Sequence, residues 1–388
     1  MDVPLAQHRP DRPQVRISDP GEVAAALPQL LGFRPQESVV LIGLGGASGG
    51  RVGLTVRADL PAPRDRAAAA AQLVRSLRTD RPAAALLAVV SEAPDEVDPW
   101  AIGHEADGAL VPADELDPWA IGHEADGALV PAAELPHREL VHELVVALSA
   151  EHVPVRDALL VRRGRWWSYD CPHPCCLPLA GTPLPGGVSA LAAAAVTTGQ
   201  VVAPDRAALA ARLDAPPGAR AAMVAACVRT AGERVARLRA VGEAALVEES
   251  WTALGEALAR CRPGTVPPPA PLSDDDVAWV VWALRDTRVR DRALGLALGA
   301  DAAAAEALWT ECTRRAPAPL DAAPATLLAV SVWLRGDGAM AGIALDRALD
   351  GDPDHGLARL LARGLAACLI PADLRELIEQ AVAADAPR

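Results

Sequence analysis

The front of the chain switches between two hydrophobic rhythms. "RISDPGEVAAALPQLLGF" (16–33) spaces its apolar residues as a helix does, behind Ser18 or Asp19 as cap, with Pro20 in the first turn and Gly32 at the end. Pro28 falls inside this stretch and predicts a kink or an early stop. "SVVLIGL" (38–44) is a short apolar run of strand type, and "RVGLTVRADL" (51–60) repeats Val52, Leu54 and Val56 at a period of two. "GGASGG" (45–50) then reads as the turn of a β-hairpin. A helix over 64–80, a buried strand over 84–91 and a helix over 136–153 follow, the last with Leu140, Leu144 and Leu148 on one face. A strand, a turn and a strand complete the series over 155–170. The order α-β-β-α-β-α-β-β predicts a mixed α/β sheet domain over 16–185.

Behind residue 185 the period of two disappears. The pattern over 186–262 is helical, and the proline-rich 263–272 reads as a linker or stiff loop. "SDDD" restarts the helical pattern, with Ser273 and Asp276 spaced as a capping box. About six helices are expected over 273–388. Pro319, Pro353 and Pro387 recur every 34 residues, the tetratricopeptide period. Aligned on Pro353, the residues Leu328, Ala341, Leu345 and Ala348 take that motif's packing positions. The back half is therefore expected to be all-helical and weakly tetratricopeptide-like, with a generic bundle as the alternative. The fold class expected for the whole is α+β or α/β in front, all-helical behind.

One repetition is of another kind. "DPWAIGHEADGALVPADEL" (98–116) recurs as "DPWAIGHEADGALVPAAEL" (117–135), differing only at Asp114 and Ala133. Two near-identical copies are a duplicated segment, not a solenoid. An insertion loop is expected there. His104, His123, Glu105 and Glu124 offer metal-ligand chemistry, but such a loop is a poor holder of ligand geometry.

Composition narrows the function. Hydrophobic residues make up 51% of the 388, enough for a sizeable core. The net charge of -13 argues against nucleic acid as a partner, and "RRGR" (162–165) reads as a solvated strand edge. The chain has no lysine, which excludes the standard P-loop, the pyridoxal Schiff base and the protein-kinase site. The N-terminus has no apolar core of signal-peptide type, and the longest uncharged stretch, Leu177 to Pro204, is broken by "GTPLPGG" and "TTGQ". No membrane association is expected. A cytoplasmic location is, with the cysteines mostly free thiols.

The densest chemistry is "CPHPCC" (171–176), which supplies Cys171, His173, Cys175 and Cys176. Three readings stand: buried structural thiols, metal ligands, or a redox or nucleophilic centre. Packing as small hydrophobes leads, because adjacent cysteines on an extended backbone point apart and the spacing matches no standard zinc signature. No cofactor is expected, with zinc as the exception to test. "GLGGASGG" (43–50) precedes a strand and not a helix, so it is no phosphate cradle. "HELVVA" (142–147) has Val146 where a zinc-protease helix needs histidine. Trp166 and Trp167 face opposite sides of a strand, one in the core and one outside. Trp279 and Trp282 share a helix face and should pack between helices, and Asp337 should cap a helix. Trp167, Trp333 and Arg335 are the candidate partner surface.

Three stretches together, "LLGFRPQESVVLIGL" (30–44), "DALLVRRGRWWSYDCPHPCCLPLAGTPL" (157–184) and "WLRGDGAMAGIALDRALDGDPDHGLARLL" (333–361), resemble the domain-of-unknown-function 4192 family of high-GC bacteria in order and spacing. The resemblance runs from about Arg16 to Pro371, and the duplicated insertion departs from it. It implies no activity, ligand or catalytic residue. The function expected is therefore an interaction or scaffold role for the helical region. The alternative is an enzyme of unassigned class with a site near residues 171–176.

Overall fold

The computed structural model describes residues 19–45, 51–97, 133–176, 180–187, 193, 201–267 and 269–385. Most of the duplicated segment, residues 46–50 of the hairpin turn, and Pro387 lie outside them. The described residues fall into two compact units. The first takes those up to Ala25, Gln36–Arg75 and Arg81–Ser189; the second takes Ala26–Pro35, Ser76–Asp80 and Ala190–Arg388.

The first unit is organised by a six-stranded mixed sheet. Its strands are β1 (Ser38–Gly45), β2 (Arg51–Asp59), β3 (Ala84–Val90), β6 (Val155–Arg162), β7 (Arg165–Ser168) and β8 (Thr182–Pro183), ordered β2-β1-β3-β6-β7-β8. Only β3 and β6 run parallel. A parallel pair needs a crossover, and α3 (Arg138–Ala150) lies between these two strands in the chain. It buries Leu140, Val141, Leu144 and Leu148 and turns Val146 to solvent. In β1, Val39, Val40, Leu41 and Ile42 are all fully or almost fully buried. Burial on both faces is why that strand reads as a continuous apolar run. β2 forms the edge; it is exposed over Arg51, Val52, Gly53 and Asp59 and half-buried between them. Two short strands, β4 (Glu96–Val97) and β5 (Ala133–Glu134), pair at the two ends of the duplicated segment.

Among the three helices in the front part, α1 (Pro20–Leu31) does not stop early at Pro28. It continues through Pro28 and closes at Gly32, whose φ of +76 suits the end of a helix. One missing N–H is tolerated in a helix that buries Ala24, Ala26 and Leu27. α2 (Arg66–Arg78) leads from β2 to β3.

The second unit is helical: α4 (Arg206–Ala210), α5 (Arg220–Val241), α6 (Glu243–Arg260), α7 (Asp274–Ala283), α8 (Thr287–Leu294), α9 (Ala302–Arg315), α10 (Ala322–Leu334), α11 (Gly338–Gly351), α12 (Gly356–Ala366) and α13 (Pro371–Asp385). Seven of these lie beyond Ser273 where about six were expected. The Asp286 side chain accepts the Arg288 N–H at 2.9 Å and starts α8. Ser273 and Asp276 close the capping box of α7. The proline-rich 263–272 lies within this unit, and Arg260 holds it through the Ala270 carbonyl at 3.2 Å while pairing with Asp276 of α7 at 2.9 Å.

α10 is buried from Ala322 to Trp333, the signature of a helix apolar all round and enclosed by others. It packs on α9 and α11. With α11 it forms a helical hairpin that buries Leu328, Ala341, Leu345 and Ala348, the four positions picked out by the 34-residue period. Asp337 caps α11 through the Met340 N–H at 3.0 Å. Trp282 donates to the Cys227 carbonyl at 2.9 Å, and Trp279 lies under Arg234, so both tryptophans of α7 meet α5. No helix among the described residues is long and apolar enough to cross a membrane.

Candidate functional site

The cysteine corner is set by the strand that precedes it. The Tyr169 N–H donates to the Ala158 carbonyl at 2.8 Å, and its hydroxyl donates to the Pro136 carbonyl at 2.6 Å. The Ser168 hydroxyl donates to Asp157 at 2.8 Å. The chain therefore leaves β7 tied to β6 and to the start of α3. Pro172 and Pro174 then restrict the backbone, and Pro174–Cys176 is a short 3₁₀ turn closed by the Cys176 N–H on the His173 carbonyl at 3.0 Å.

That turn changes what the sequence predicts. Cys175 and Cys176 are not on extended backbone, and their sulfurs lie 3.9 Å apart. The Cys171 sulfur is 3.9 Å from that of Cys175, and all three sulfurs lie within 4.8 Å of one another. His173 is exposed and is not part of this group. Cys176 is buried, Cys171 half-buried and Cys175 exposed. Packing as small hydrophobes therefore describes Cys176 and fails for the other two.

The electrostatics differ along the corner. The His173 backbone N–H at the Cys171 sulfur holds that thiol below its ordinary range. Burial pushes Cys176 up to about 12, against the Ser168 N–H that donates to its sulfur at 3.3 Å. Burial also raises the Asp157 carboxyl, against its hydrogen bond from Ser168. An open cleft of about 840 Å³ is lined by the residues just before the corner, Tyr169 and Asp170, and by Arg66, Arg138, Glu139 and His142 among others. Its charges largely pair among themselves, as Arg66 with Glu139 and Arg138 with Glu134.

The candidate partner surface is corrected. Trp167 is 3% exposed. It pairs with Leu160 in register, so it shares the core face of that fully buried residue, and Arg162 on the same face stacks over its ring at 4.9 Å. Trp166 is the partly exposed member of the pair. Trp333 is also 3% exposed, and its indole N–H donates to the Leu369 carbonyl at 3.2 Å. Arg335 is accessible but engaged, with Glu306 at 3.0 Å and Asp337 at 3.6 Å. Neither tryptophan offers its ring to a partner.

Sequence reasoning missed two features. One is a polar hub at the strand ends. The Ser91 hydroxyl donates to Glu37 at 2.8 Å and stands 3.0 Å from His137 Nε2. It superficially resembles a nucleophile with its base, but Ser91 is 1% exposed and its proton goes to Glu37. The hub fastens the ends of the sheet; no local motif announces it, because its members are 54 and 46 residues apart. The other is a row of exposed apolar residues on α5: Val224, Val228, Val235 and Leu238, spaced 4, 7 and 3 apart. Its signal was the helical period itself, hidden in an alanine-rich stretch.

The family described as Domain of unknown function (DUF4192) matches residues 20–372, and the chain belongs to it. No curated protein matches the chain, and no solved structure does.

Proposed function

We propose that this chain is a cytoplasmic interaction protein that engages a protein partner through its helical unit. The observation that carries this reading is the row on α5. One face of that helix packs Met223, Ala226, Cys227 and Thr230 into the unit. A neighbouring face leaves Val224, Val228, Val235 and Leu238 between 40% and 69% exposed. Those four positions share one side at the helical period. Covering the apolar area these side chains still expose would be favourable, so the row suits an apolar helix of a partner. All seven cysteines are unpaired thiols, which suits a reducing compartment.

A photo-crosslinking residue placed at Val228 in cells tests this reading. A discrete adduct is expected from position 228, weakened by Val235→Glu, and not from the exposed Glu256 on α6. Equal, diffuse adducts from both positions would contradict it.

A further inference from the structure

We propose that Cys171, Cys175 and Cys176 form a binding site for one soft divalent cation of the zinc type, with a coordination position left open to solvent. This goes beyond the interaction role of the helical unit and stands on different residues.

The first support is distance. A tetrahedral zinc–thiolate centre has Zn–S bonds of about 2.3 Å, which sets its sulfurs roughly 3.8 Å apart. Two of the three pairs here are 3.9 Å apart, and all three lie within 4.8 Å. Small side-chain rotations close the third pair. The second support is a backbone donor. The Ser168 N–H donates to the Cys176 sulfur at 3.3 Å. Such an N–H stabilises and orients a thiolate, as outer-shell partners do around metal ligands.

The third support is rigidity. Two prolines, a 3₁₀ turn and the Tyr169 hydroxyl bond to Pro136 fix the loop before any ion arrives. A preformed site loses little entropy on binding. The fourth is exposure. A cluster that served packing alone would bury its sulfurs, yet Cys175 is exposed and Cys171 half-exposed. The buried Cys227 and Cys312 show what packing cysteines look like in this chain.

Thiolate ligands select zinc-type ions over magnesium or calcium, which prefer oxygen. Three protein ligands leave one tetrahedral position, the pattern of sites that exchange a ligand and not of closed structural sites. His173 adjoins the ligands in sequence but its ring is outside the group, so the fourth position is assigned to water.

The test uses the full chain, reduced, stripped with a chelator and titrated with Co²⁺ alone. The expected result is one Co²⁺ per chain with an intense near-ultraviolet sulfur-to-cobalt band, displaced by Zn²⁺. Cys175→Ser is exposed and should leave the far-ultraviolet circular dichroism unchanged while weakening Co²⁺ at least as much as loss of an outer-shell partner does, about 10- to 100-fold. Cys261→Ser, far along the chain, should leave the titration as in the parent. Binding without the sulfur band, a band unchanged in folded Cys175→Ser, or a Cys171–Cys175 disulfide in protein kept under reductant would each overturn the proposal.

Discussion

Gly181 lies flat against the Trp167 indole: a Cβ on that glycine would stand 2.4 Å from Cε2 and Cζ2 of the ring. Its φ of +64 is one that side-chain-bearing residues rarely adopt. The backbone entering β8 is thus pressed on the tryptophan of β7. Gly181→Ala meets both a left-handed backbone cost, about 1 to 2 kcal/mol, and a clash with an aromatic ring. A fall in stability of at least about 2 kcal/mol in urea unfolding is expected. A change under 0.5 kcal/mol, roughly the level of a neutral surface substitution, would show that the ring is free to move.

At Gly351 the sign of the ordinary rule reverses. Alanine in place of glycine in a helix usually adds about 1 kcal/mol. Here a Cβ would stand 2.5 Å from Asp321 Oδ1. Asp321 is 1% exposed and held by Arg347 at 2.8 Å, so its carboxylate cannot swing away cheaply. Gly351→Ala should therefore destabilise, by about 1 to 3 kcal/mol, and a stabilised variant would contradict the packing at the end of α11.

The division between what the sequence showed and what it hid follows range. Runs that decide their own neighbours were legible: the apolar run of β1, the leucines of α3, the Ser273 capping box, the Asp337 cap. The hairpin of α10 and α11 was legible because its period is local. Trp167 was assigned to the wrong side because two adjacent tryptophans carry no sign of which face is the core. The register with Leu160 decides that, and register is a long-range property. The convergence of the cysteines was hidden for a related reason. Extended backbone parts adjacent thiols, and only the 3₁₀ turn after Pro172 brings them together. The proline-rich 263–272 read as a linker or stiff loop on composition, and the hold of Arg260 on the Ala270 carbonyl leaves no trace in the segment itself.

His355 gives the molecule a pH dependence. Its Nδ1 accepts the Ala358 N–H at 3.2 Å and caps α12. Burial holds the imidazole below its ordinary pKa, assisted by Arg290 and Arg285 and opposed by Asp352. The unfolded imidazole titrates near about 6.5. Below that value the unfolded chain binds the proton more readily than the folded one, so stability falls as pH drops from about 6.5 towards the depressed folded pKa. Protonation also removes the lone pair that makes the cap. His355→Asn keeps a capping acceptor without a titrating group, so its melting temperature should fall less between pH 7.5 and 5.5 than the parent's. Parallel slopes for the two would contradict this.

The Ser273 cap is testable alone. Ser273→Ala removes the acceptor for the Asp276 N–H at 3.1 Å and should cost about 1 kcal/mol. Ser273→Thr keeps both that acceptor and the hydroxyl that donates to Asp276 Oδ2 at 2.6 Å, so it should recover most of the loss, and equal losses in both variants would assign the effect to something other than the cap.

The three-sulfur corner is examined most directly by X-ray absorption on the zinc-loaded, reduced full chain. Three sulfurs at about 2.3 Å with one lighter atom at about 2.0 Å are expected around zinc. A shell made wholly of oxygen and nitrogen would contradict the site.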